Sequence, residues 1–254
     1  MDKDYERPTA AAANQLIGRA VLPADAREVL VTNLDDTVLL GCVGLSADGL
    51  DTGDATLVSI VLDMSGSMEG YRQEVIDAYN AMMQALAGAK AAGSILVSTW
   101  AFSDSAALLS SYEPAPRKPK LDKAVYAPNG MTALYDAVLG AMTGLVTYGQ
   151  RLWDEGVPTR RVLFVLSDGG DNSSKAKADE VRKAARALAR DEAYTLAYAG
   201  FGSTDLQQQA DAIGFPNVVV TGASASELRR VFRQVSQSVL RVSQGTQPTA
   251  GGFF

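Results

Sequence analysis

From Ala55 onward, apolar and polar positions alternate in blocks whose periods separate strands from helices. Residues 57–62 form an almost unbroken apolar run, as expected of a strand buried on both faces. Behind it, Val75, Tyr79, Met82 and Leu86 recur at spacings of 4, 3 and 4, which puts one apolar stripe on a helix. Residues 95–102 and 106–109 read as two strands about a Ser103-Asp104-Ser105 turn. A helix opening near Thr132 aligns Leu134, Val138, Met142 and Leu145, and residues 162–166 form a second apolar strand. A helix that buries Val181, Ala185 and Leu188 leads into a strand over 194–199. A short helix, a strand over 218–220 and a last helix with Leu228, Phe232, Val235 and Val239 on one stripe complete the pattern. Strands alternating with helices predict an α/β fold: a doubly wound, mostly parallel central sheet with helices on both faces. Ligands of such sheets sit beyond the carboxyl ends of the strands, where the strand order reverses.

The flanks read differently. Residues 28–34 and 37–43 are apolar-rich runs around Asn33-Leu34-Asp35-Asp36, which predicts a β-hairpin within an N-terminal extension over 1–54. The main domain then spans 55–243, and residues 244–254, rich in Gly, Thr and Pro, are expected to form a flexible tail.

Composition narrows the chemistry. The formal net charge of -6 argues against nucleic acid, whose binding needs a surplus of Lys and Arg. The absence of histidine removes Ser-His-Asp and Cys-His catalysis and every imidazole metal ligand. A single cysteine, Cys42, excludes an intrachain disulfide and a Cys-rich zinc site, and is expected to be a buried thiol. Any metal must be held by oxygen, which favours Mg²⁺, with Mn²⁺ or Ca²⁺ as alternatives. No apolar stretch approaches the roughly 20 residues of a membrane-spanning helix, and the first residues carry no apolar leader, so a cytoplasmic location away from membranes is expected. The Asn172-Ser173-Ser174 sequon then carries no glycan.

Three segments stand at the ends of expected buried strands or open a helix: Asp63-Met64-Ser65-Gly66-Ser67, Gly130-Met131-Thr132-Ala133-Leu134 and Leu166-Ser167-Asp168-Gly169-Gly170. Each puts small oxygen-bearing side chains beside glycine, which lets the backbone turn sharply and approach an ion. Asp63, Ser65 and Ser67 alternate, so an extended turn aims their oxygens one way. Serines before a helix also serve as caps, and an Asp before two glycines also makes an ordinary turn. Three such segments in order outweigh those readings.

At these residues the chain resembles the von Willebrand factor type A family with its metal-ion-dependent adhesion site. That pattern is Asp-x-Ser-x-Ser, then a Thr, then an Asp, and here Asp63, Ser65, Ser67, Thr132 and Asp168 match it in order. The resemblance covers roughly residues 55–242. It implies that the two serines and the threonine are ligands, that the acids bind directly or through water, and that a partner's carboxylate completes the shell. Residues 130–137 and 166–169 are similar to those of compact intracellular bacterial members, including tellurium-resistance-type proteins. These members imply a signalling or stress-response assembly with a kinase, phosphatase or ATPase.

The expected function is therefore a non-enzymatic, Mg²⁺-dependent protein-binding module that captures an acidic residue of a partner. The alternative is a Mg²⁺-dependent phosphoester hydrolase, for which Asp104, Asp136, Asp171 or Glu69 would be the base or nucleophile. Other features carry less. Asn33-Leu34-Asp35-Asp36-Thr37 looks like the haloacid dehalogenase motif, but Asn33 stands where the nucleophilic Asp is needed. Asp48, Asp51 and Asp54 lack the closing Glu of a Ca²⁺ loop, and no P-loop is present. The basic stretch 114–120 is expected either as a solvated connector or as a flank of the metal site that attracts an acidic partner. Gly251-Gly252-Phe253-Phe254 is either a loose end or a short docking motif.

Overall fold

The computed structural model describes residues 5, 7–50, 52–202, 206–222, 224–245 and 252–254. A six-stranded sheet forms from β1 (Ala55–Asp63), β2 (Ile95–Phe102), β3 (Ala106–Pro114), β4 (Thr159–Ser167), β5 (Tyr194–Phe201) and β6 (Asn217–Thr221), in the order β3-β2-β1-β4-β5-β6. Every pairing is parallel except that of β3, which returns antiparallel along β2. The expected doubly wound α/β sheet is observed. β1 is buried along its whole length because both of its faces are covered. Leu57 and Val61 point into one apolar core, and Val58, Ile60 and Leu62 into the other. The second core is sealed by α4 (Arg72–Ala87) and α8 (Ala225–Ser243). The first lies under α5 (Leu134–Asp154), α6 (Ala178–Leu188) and α7 (Leu206–Ile213). None of the described helices is long and apolar enough to cross a membrane.

The N-terminal extension corrects one expectation. Instead of a hairpin it forms α1 (Ala10–Arg19), α2 (Ala24–Thr32) and α3 (Asp36–Gly41), and its β structure among the described residues is a lone bridge between Tyr5 and Leu45. Pro23 opens α2, whose Ala26, Val29 and Leu30 turn inward at helical spacing. The Asp35 carboxylate accepts the Val38 N–H at 2.8 Å and so caps α3. Ile17, Leu30 and Val38 enter the same core as Val61, Trp100 and Met142, so the extension covers one face of the sheet. Cys42 is buried as expected, its thiol pushed up to about 12 by that burial.

Two further expectations change. The chain end is packed at its last residues, not flexible: Phe253 is fully buried, the Ser238 hydroxyl donates to its carbonyl, and Phe254 meets Phe164 edge-on. Residues 246–251 of the expected tail lie outside the described residues. The basic stretch does not flank the carboxyl end of β1. Pro114 pairs with Leu96 at the start of β2, whereas Asp63 pairs with Phe102 at its end. Six residues of strand, roughly 20 Å, separate the two. Lys118 is half-buried there, where its ammonium donates to Ser110 and Ser111, and desolvation lowers its pKa to about 8.

Candidate functional site

The strand order reverses between β1 and β4, so the crevice between their carboxyl ends is where a doubly wound sheet presents ligands. Asp63 closes β1 and is fully buried. One of its carboxylate oxygens accepts the Ser65 N–H at 2.9 Å, and the other accepts the hydroxyl of Ser167, the last residue of β4, at 2.6 Å. The Tyr126 hydroxyl donates to its carbonyl. Ser65 and Ser67 place their hydroxyl oxygens 3.1 Å apart, and the Ser67 hydroxyl donates to the Asp168 carboxylate at 2.9 Å. Asp63, Ser65, Ser67 and Asp168 thus lie on one hydrogen-bonded path. Thr132, also buried, belongs to the adjoining loop and lies off this path: its backbone N–H donates to the Asn172 side chain, and its carbonyl accepts the N–H groups of Asn172 and Ser173.

Two acids share this crevice, and among the described residues neither has a Lys or Arg within 4.0 Å. Burial pushes the Asp63 carboxyl up to about 6 against the pull of the Ser167 and Ser65 hydrogen bonds, and the charge of Asp168 adds to the rise. Asp168 is raised as well, chiefly by its own desolvation. Among the described residues no three Asp, Glu or Cys side chains converge, so a cation here would depend on hydroxyl oxygens as well as carboxylates. The Asp63 and Asp168 carboxylates and the Ser65 and Ser67 hydroxyls on this path are hard oxygen donors, the kind that Mg²⁺, Mn²⁺ and Ca²⁺ prefer.

The surrounding loops are tied to one another through the backbone. The Met64 N–H bonds the Phe102 carbonyl, Asn129 N–H the Met64 carbonyl, Gly66 N–H the Gly130 carbonyl and Ala133 N–H the Ser103 carbonyl. Gly130 sits at φ +71°, and a Cβ there would lie 2.6 Å from the Asp104 carboxylate, so only glycine suits this turn. That carboxylate accepts the Met131 N–H at 2.7 Å.

Helix α5 has no cap of its own at Ala133, and the loop after β4 supplies one from a distance. Asn172 accepts from Thr132 N–H at 2.7 Å, Asp171 from Tyr135 N–H at 3.1 Å and Ser174 from Asp136 N–H at 3.1 Å. Asp136 returns the favour by accepting the N–H groups of Lys175 and Ala176. The sequence points to Asp63, Ser65, Ser67, Thr132 and Asp168 but misses Ser167, Tyr126 and this reciprocal cap. Its signal was the Asp171-Asn172-Ser173-Ser174 cluster itself, four residues of types that prefer to accept from helix N-termini.

The other candidates separate from this path. Asp104, Asp136 and Asp171 are engaged as backbone acceptors, and Glu69 lies 3.4 Å from Arg72. Residues 33–35 join α2 to α3, and Asn33, Leu34, Asp35 and Thr37 wall a small cleft of about 260 Å³ with Asp104, Asp136 and Lys175. Asp48 lies in a short 3-10 turn, Asp54 pairs with Arg160 at 2.6 Å, and Asp51 lies outside the described residues.

The sequence profile of the von Willebrand factor type A domain matches residues 58–238. No curated protein sequence matches the chain. Among solved structures, a von Willebrand factor type A protein from Catenulispora acidiphila is 19% identical, with a TM-score of 0.50 over 74% of this chain and 43% of that one. The PilB minor pilin from Streptococcus sanguinis is 15% identical, with a TM-score of 0.52 over 79% and 64%. Proximal thread matrix protein 1 from the mussel byssus, in a structure with a zinc-occupied MIDAS motif, is 18% identical, with a TM-score of 0.52 over 74% and 46%. The chain spans less than two thirds of each of these structures, and at such identities the likeness is one of fold.

Proposed function

Because the chain belongs to the von Willebrand factor type A domain family, we propose that its crown, the loops around the carboxyl ends of β1 and β4, is a metal-dependent protein-binding site. In this reading Asp63, Ser65, Ser67, Thr132 and Asp168 hold one divalent cation, and an Asp or Glu of a protein partner completes the shell. The observation that carries it is the buried Asp63 beside Asp168, two acids linked through serine hydroxyls and, among the described residues, without a salt bridge to either. A bound cation supplies the missing positive charge and an open position for a carboxylate. The all-oxygen set favours Mg²⁺, with Mn²⁺ or Ca²⁺ as substitutes, although the mussel protein's site is described with zinc.

The reading is non-enzymatic. Hydrolysis needs a base free to take a proton, and Asp104, Asp136 and Asp171 each accept backbone N–H groups. The resemblance over 130–137 and 166–169 supports a bacterial, cytoplasmic assembly with a kinase, phosphatase or ATPase as the setting.

Calorimetry with MgCl₂ and MnCl₂, followed by affinity capture with and without EDTA, tests the proposal. The wild type should bind one cation, and Ser65→Ala with Ser67→Ala should lose both cation and partner while keeping its circular dichroism spectrum. Turnover of phosphate esters by the wild type with Mg²⁺, lost on Asp63→Ala, would establish the hydrolase instead.

A further inference from the structure

The end of the sheet opposite the crown holds a cleft of about 690 Å³. Its floor is made by Thr159 and Arg161 at the start of β4 and Tyr194 at the start of β5. Arg161 is only 7% exposed. Its Nε donates to the Thr159 hydroxyl at 2.8 Å, one Nη donates to the Tyr194 hydroxyl, and the guanidinium carbon stands 4.9 Å from the centre of the Tyr194 ring. Gly149 of α5 makes room for it, since a Cβ there would lie 2.3 Å from Nε.

This guanidinium has no carboxylate within 4.0 Å among the described residues, although a buried cation without one is costly. Only two of its five N–H donors are engaged by the hydroxyls, and the side chain borders the cleft. Asp191 and Glu192 also border the cleft but do not reach it: Asp191 accepts the Ala193 N–H at 2.9 Å, and Glu192 is solvent-exposed. Arg190 adds a second, exposed positive charge. On the rim stand two conspicuously exposed apolar side chains, Trp153 at 59% and Val21 at 89%.

We propose that this cleft is a second binding site, for a monocarboxylate with a planar apolar body. The carboxylate would meet the free N–H donors of Arg161, a pairing whose fork geometry guanidinium matches. The body would cover the Trp153 ring and part of Val21. A monoanion fits the charge balance better than a phosphate dianion, because Asp191 and Glu192 border the same cleft. The carboxylate could belong to a free small acid or to the C-terminus of a peptide, and the two share this chemistry.

The probes are hydrocinnamate, its neutral alcohol, phenyl phosphate, and the peptide Ala-Ala-Phe with a free or amidated end. Each is titrated into the full chain by calorimetry, with Trp153 emission as reporter, since Trp100 is fully buried. Saturable binding of hydrocinnamate or the free-acid peptide is expected, with the alcohol, the phosphate and the amide weaker by about tenfold or more. Preference for hydrocinnamate assigns the site to small acids, and preference for the peptide acid assigns it to chain ends. Arg161→Gln should lose about tenfold or more in affinity. Trp153→Ala, an exposed change that leaves the fold intact, should weaken binding too. EDTA should change none of this, which keeps the result independent of the crown. No saturable binding of either carboxylate at millimolar concentration, or equal binding of acid and alcohol, would overturn the proposal.

Discussion

The two ends of the sheet each bury a charge and treat it in opposite ways. At the crown, Asp63 accepts from a backbone N–H and a serine hydroxyl and has a second carboxylate for a neighbour. At the far end, Arg161 donates to a threonine and a tyrosine hydroxyl and rests against an aromatic ring. Neither has an opposite side-chain charge within 4.0 Å among the described residues. Neutral partners hold each group in place without cancelling its charge, so the uncompensated field remains for a ligand to use. The surroundings differ as well. The crown is built of loops that brace one another, whereas the far cleft is built of strand starts and a helix end, where backbone groups are already paired.

Removing one of these charges separates the two ends most strongly. Asp63→Asn keeps the shape and finds partners, because Ser167 can accept from the new amide while donating to the Gly169 carbonyl 3.1 Å away. The folded wild-type carboxyl holds its proton up to about pH 6, whereas a free Asp side chain gives it up near 3.8. Stability associated with protonated Asp63 is therefore complete below pH 3.8 and disappears as pH rises through about 6. In EDTA at neutral pH, Asp63→Asn should exceed the wild type by about 2 kcal/mol in urea unfolding, and the gap should close toward acid pH. Saturating Mg²⁺ should reverse the order, since only the wild type gains binding energy. A constant gap at every pH would refute the buried-charge account.

A smaller effect tests the bracing. Asp171→Ala should cost about 1–2 kcal/mol by stripping a cap from α5. It should also speed amide exchange at Tyr135 and weaken Mg²⁺ binding, with the Arg161 cleft unaffected. Normal exchange at Tyr135 would show that the helix start does not depend on the loop after β4. The smallest effect is expected from reversing the charges of Arg117, Lys118 and Lys120. These residues leave the sheet at the far end of β2, so capture of an acidic partner at the crown should keep its association rate. A salt-dependent slowing would bring them back to the rim.

How much of this was legible beforehand follows the range of the interactions. The strands that lead to Asp63 and Asp168 announce themselves as short apolar runs, and the helices behind them show clean apolar stripes, because burial on both faces writes itself into adjacent residues. Residues 28–34 and 37–43 are apolar runs of strand length, and helix and strand are hard to separate at that size. The Asp35 cap and Pro23 were the local signs of helix, while the partner surfaces that decided the matter, on α5 and α6, lie more than a hundred residues away. The cap of α5 by Asp171, Asn172 and Ser174 bridges 36 to 40 residues, a distance at which no sequence spacing speaks. The same holds for Phe253, whose position in the core depends on Ser238 and on the aromatic cluster around Phe164.

The reciprocal bonds between Asp136 and residues 174–176, together with the backbone ties among the loops after β1, β2 and β4, also bear on timing. A site whose segments are mutually fastened before anything arrives loses little freedom on binding, so most of the contact energy is left to appear as affinity. Docking at such a surface proceeds as a single encounter whose observed rate rises linearly with ligand concentration, without the plateau that a slow rearrangement imposes.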